Sequence, residues 1–75
     1  MSVKGGRDRM TFSEHLYKLR KQKGLKQTEL ADAVGIGWRA YQTYERGERE
    51  PALSTLIALA DFYELSLDEL VCRER

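Results

Sequence analysis

Cysteine, histidine and proline each occur once in the 75 residues, and each scarcity removes a class of protein. Cys72 alone cannot close an internal disulfide, which fits a reducing cytoplasm. One cysteine and one histidine cannot complete a zinc site, so no metal is expected, and no cofactor motif is present. His15 stands beside Glu14 with no positioned acid–base partner in the pattern, so it reads as a surface residue and catalysis is not expected. Beyond Pro51, no run alternates with the strand period of two. No apolar stretch approaches the roughly 18 residues that span a bilayer. The opening MSVKGGRDRM has no apolar h-region, so it does not read as a secretory signal. The glycines of Gly35-Ile36-Gly37 lack the further glycine and the strand of a phosphate cradle. No membrane partner and no small-molecule substrate are expected.

What is present is 41% hydrophobic and 33% charged residues, the composition of one small globular domain. The net charge of +1 hides an asymmetry. Residues 1–26 carry eight Lys/Arg against Asp8 and Glu14, whereas residues 27–75 carry five Arg against ten acids. A basic first third on a nearly neutral chain suggests a polyanion met by one part of the surface.

Hydrophobic spacing predicts an all-α fold, a compact bundle of five short helices behind an arm. Residues 1–10 are polar and aperiodic and read as a flexible basic arm, residues 11–72 as the domain, and 73–75 as a tail. Thr11-Phe12-Ser13-Glu14 is a capping box that opens the first helix, with Phe12, Leu16 and Leu19 inward and Gly24 as terminator. A second helix runs from about Gln27 to Val34 with Leu30, Ala31 and Val34 inward, and a third from about Trp38 to Arg46, stopped by Gly47. After Pro51, Leu53, Leu56, Ile57 and Ala60 predict the buried face of a fourth, ending near Tyr63. Ser66-Leu67-Asp68-Glu69 opens a fifth with Leu67, Leu70 and Val71. The second and third helices, joined by Gly35-Ile36-Gly37, suit a helix-turn-helix, in which a tight turn projects the second helix from the body.

The third helix sorts into two faces at about 100° per residue. Ala40, Tyr41 and Tyr44 share the half expected to face the core, with Glu45 on the flank. Trp38, Arg39, Gln42, Thr43 and Arg46 share the other half. That second face has major-groove chemistry: Arg matches guanine, Gln matches adenine, and Thr bonds a base edge or touches a thymine methyl. Trp38 adds an apolar surface that a monomer gains little by exposing, unless it folds back over the turn.

In order and spacing, KGLKQTELA, VGI, YERGEREP and LSLDEL resemble the lambda-repressor-like (Cro/C1-type, XRE) helix-turn-helix family of bacterial and phage regulators, over about residues 12–71. The resemblance implies a sequence-specific regulator of transcription, expected to be a repressor, in the cytoplasm on the nucleoid. It implies double-stranded DNA as partner, base-reading by Trp38, Arg39, Gln42 and Thr43, and phosphate contact by Gln27, Arg46 and Arg49. It further implies a structural ion pair between Arg20 and Glu45. So small a reader suits a homodimer on a palindromic operator, with Leu65, Leu67 and Val71 as candidate contacts. Lys26, Gly37 and Ala52 depart from the family's frequent capping residues, Lys26 trading a cap for phosphate attraction. The Tyr41 hydroxyl needs a partner, and a phosphate is one candidate; Glu48 and Glu50 set negative charge beside Arg49. The acidic C-terminal half and Trp38 also admit an alternative, an interaction module such as an antitoxin or a regulator's partner.

Overall fold

The first amides of a helix find no partner within it, and the local sequence answers this in three ways at the five starts. The computed structural model describes residues 11–71; the arm at 1–10, Cys72 and the tail at 73–75 lie outside them. Within this span the helices are α1 (Phe12–Lys23), α2 (Gln27–Val34), α3 (Trp38–Arg46), α4 (Leu53–Tyr63) and α5 (Leu67–Leu70), and no strand occurs among the described residues. At α1 the Thr11 hydroxyl accepts the Glu14 amide at 3.2 Å while the Glu14 carboxylate accepts the Thr11 amide at 3.0 Å. Ser66 and Glu69 make the same reciprocal pair at α5, at 3.1 and 2.8 Å. Lys26 has no acceptor to offer, so α2 keeps only the return half, the Lys26 amide donating to Glu29 at 2.8 Å. Gly37 and Ala52 give α3 and α4 no side-chain cap.

Four of the five helices, α1 to α4, end on left-handed residues. Gly35, at φ 80°, closes α2, and the next amide, from Ile36, donates back to the Ala31 carbonyl at 2.9 Å. This short turn carries Ile36 against the core and launches α3. The same left-handed geometry falls on Glu64 after α4, the one non-glycine residue with positive φ (58°) among those described.

Leu16, Leu30, Ala31, Tyr41, Leu59, Ala60 and Leu70 form the core. Around it α1 packs on α3 and α5, α2 on α3 and α4, and α4 on α5. The expected inward residues of α1 and α2, and Tyr41 and Tyr44 of α3, lie in or against this core, while Ala40 is only half-buried. The face expected for α4 is observed in part: Ala60 is buried and Leu56 packs against the core, but Leu53 is 63% and Ile57 44% exposed and Leu59 is buried instead. LSTLIALADFY is apolar on several sides, so its period does not single out one stripe, and contact with α2 and α5 selects the stripe through Leu59 and Ala60. On α5, Leu70 is buried but Leu67 stays exposed. His15 is not a simple surface residue either. Its Nδ1 donates to the Leu70 carbonyl at 2.9 Å, tying α1 to the end of α5. None of the helices among the described residues is long and apolar enough to cross a membrane.

Candidate nucleic-acid interface

Under the outer face of α3 lies a buried charge. Arg20 on α1 meets Glu45 on α3 through two bonds, Nε to Oε2 at 2.6 Å and Nη2 to Oε1 at 3.1 Å. Their side chains are 10% and 6% exposed. The third guanidinium nitrogen donates to the Leu25 carbonyl at 2.9 Å, holding the α1–α2 connection. Glu45 also accepts the Tyr41 hydroxyl at 2.6 Å and the Gln27 amide at 3.1 Å. Burial alone pushes the Glu45 carboxyl up, but the bonds from Arg20, Tyr41 and Gln27 together outweigh it and hold the carboxyl below the usual carboxylate value. The Glu45 bond raises the Arg20 guanidinium further.

This arrangement corrects the expectation for Tyr41. Its ring is completely buried and its hydroxyl is committed to Glu45, so it is not available to a phosphate. Burial, and then the bond to Glu45, raise its hydroxyl well above the usual tyrosine value, so it remains a neutral donor. The separation of four residues between Tyr41 and Glu45 marks adjacent positions on one helix and was readable in the sequence. Gln27's link to Glu45 was not readable, because its partner lies on another helix.

From this anchor a line of hydrogen bonds runs outward. Gln27, at the first position of α2, donates to Glu45 and accepts from the Gln42 amide at 3.2 Å. Gln42 on α3 is thereby oriented by α2, with its carbonyl oxygen and one N–H uncommitted. Thr43 donates its hydroxyl proton to the Ala40 carbonyl at 2.6 Å, which leaves the oxygen as acceptor only. At the start of α3, Trp38 is 42% exposed rather than folded into the core. The Arg39 guanidinium lies 6.0 Å from the centre of the indole ring, within cation–π range.

The basic residues differ in freedom. Lys26 and Arg49 are exposed, Lys26 at the uncapped start of α2, where helix dipole and open amides favour an anion. Arg46 stands 3.8 Å from Glu48, both well exposed, a loose surface pair that solvent screens. One face therefore carries an exposed indole and guanidinium, an oriented amide, a hydroxyl acceptor and flanking cations.

Comparison with known proteins gives this face its setting. A family model described as helix-turn-helix matches residues 16–70. YqaE, an uncharacterised HTH-type transcriptional regulator of Bacillus subtilis, is 50% identical over 60 residues, covering 80% of this chain and 52% of the relative. The cryptic phage CTXphi transcriptional repressor RstR of Vibrio cholerae is 40% identical over 60 residues, covering 80% and 54%. The chain thus spans about half the length of these curated relatives. Among solved structures, the P22 c2 repressor in complex with a synthetic operator superposes with a TM-score of 0.80 at 29% identity, over 87% of this chain and 98% of that one. A transcriptional regulator from Listeria innocua gives 0.81 at 37% identity, over 87% and 61%.

Proposed function

Since the chain belongs to the Cro/C1-type (XRE) helix-turn-helix family of transcriptional regulators, we propose that it binds double-stranded DNA with α3 in the major groove and represses transcription. The observation that carries this reading is the exposure of Trp38 and Arg39 at the start of a helix whose opposite side is locked by buried Tyr41. A helix anchored on one side and presenting indole, guanidinium and amide on the other has the chemistry that base edges demand. Arg39, Gln42, Thr43 and Trp38 read bases; Lys26, the start of α2 at Gln27, Arg46 and Arg49 meet phosphates. The protein acts as a homodimer on a palindromic operator, because one recognition helix covers only a half-site. Leu67, Leu53 and Ile57 are the exposed apolar residues available for the dimer contact; of the residues first considered, Leu65 is packed against the core. A regulator of this kind resides in the cytoplasm on the nucleoid. The relatives, which carry the names of transcriptional regulators rather than of interaction partners, favour this reading over an antitoxin-like module.

A titration of labelled duplexes across a salt series tests it. Affinity is expected to fall linearly on a log–log plot as salt rises, and Lys26→Ala is expected to weaken cognate and random duplexes alike while reducing the slope by about one. Absence of binding to any duplex at low salt would refute the reading.

A further inference from the structure

The side chains on the outer half of α3 have distinct hydrogen-bonding capacities, and together they restrict what the face is able to read. Arg39 offers only donors, and among the described residues no carboxylate pairs with it. Its neighbour Trp38 offers an apolar ring, 42% exposed, with the Arg39 guanidinium 6.0 Å from its centre. Thr43 has lost its donor to Ala40 and is left with an acceptor oxygen and a methyl group.

From this we infer that Trp38 and Arg39 act as one unit that reads a 5-methylpyrimidine adjacent to guanine, the ring covering the C5-methyl while the guanidinium bonds the guanine edge. The inference rests on the DNA-binding reading above and adds to it the chemistry of the step being read. In the major groove guanine presents two acceptors, N7 and O6, which suit the guanidinium fork, and thymine presents its C5-methyl. An exposed indole gains from covering a methyl and gains nothing from covering the polar edge of cytosine. Contact between ring and guanidinium limits the freedom of Arg39, so the fork arrives oriented. Thr43, as acceptor only, does not bond the guanine edge and favours an adenine or cytosine amine, or a second methyl. The recognised feature is the methyl group itself, so 5-methylcytosine before guanine substitutes for thymine at that position, and deoxyuridine does not.

The experiment uses the tightest duplex selected from a random library, with each thymine replaced singly by deoxyuridine, and with the key thymine–adenine pair replaced by a guanine pair with cytosine or 5-methylcytosine. For the wild type, one deoxyuridine position is expected to weaken binding about fourfold, the value of one buried methyl. 5-Methylcytosine there is expected to bind more tightly than cytosine. In Trp38→Ala, whose replaced side chain lies outside the core, both differences disappear while the circular dichroism spectrum is unchanged. A methyl effect that persists in Trp38→Ala overturns the assignment to the indole. Selective binding with no methyl effect at any position overturns the inference and leaves the DNA-binding reading standing. Failure to discriminate the selected duplex from random DNA defeats that reading itself.

Discussion

Glu45 accepts four hydrogen bonds from three residues, Arg20, Tyr41 and Gln27, on three different helices. A buried carboxylate so furnished repays its desolvation, but the loss of its charge leaves Arg20 buried and unpaired, at a cost of about 3–5 kcal/mol. Glu45→Gln is therefore expected to lower unfolding free energy by about 3 kcal/mol at neutral pH, read by urea denaturation. Because the folded Glu45 carboxyl is held below its ordinary value of 4.5, its contribution is complete above that value and is lost as pH falls through the folded one. The gap between wild type and Glu45→Gln should narrow in acid; a constant gap down to pH about 2 would contradict the assignment. Tyr41→Phe keeps the buried ring and removes one bond to a charged acceptor, worth about 1.5–3 kcal/mol of stability. The same variant is expected to leave the salt slope of DNA binding unchanged, which separates an internal role from a phosphate contact.

At the scale of elements, three of the five helices end on a left-handed glycine and two start on a reciprocal cap, whereas α4 ends on a strained residue. Glu64 holds φ at 58°, a conformation that costs an L-residue roughly 1–2 kcal/mol and glycine nothing sterically. Glu64→Gly is expected to raise stability by about 1 kcal/mol in thermal or urea unfolding, and a loss of stability would show that the side chain is doing something the backbone geometry does not reveal. The starts and stops of the helices were legible because capping residues and glycines act locally: Thr11, Ser66, Gly24, Gly35 and Gly47 stand where the chain turns. The faces of α1, α2 and α3 were legible because polar residues break their apolar stripes. In α4 they do not, so Leu53 and Ile57 read as buried beside Ala60, when α2 and α5 in fact cover Leu59 together with Ala60.

Across the whole molecule, the contacts that sequence did not reveal join distant segments. His15 reaches the Leu70 carbonyl across 55 positions, and Gln42 reaches Gln27 across 15. No local period encodes such pairs; they exist only after the bundle has formed. The Arg20–Glu45 pair spans 25 positions and was accessible only through resemblance to a family. Taken together these links give the bundle a rigid interior beneath α3: α1 holds Glu45, α2 holds Gln42, and the start of α3 stands free. The central claim is that this free face distinguishes base pairs. Parallel selection of bound sites from one random duplex library, with wild type and Arg39→Ala, tests it most directly. The account predicts that the wild type enriches a defined motif and that Arg39→Ala loses preference for a guanine at one position of each half-site while retaining the rest. Recovery of the identical motif by both proteins would contradict it.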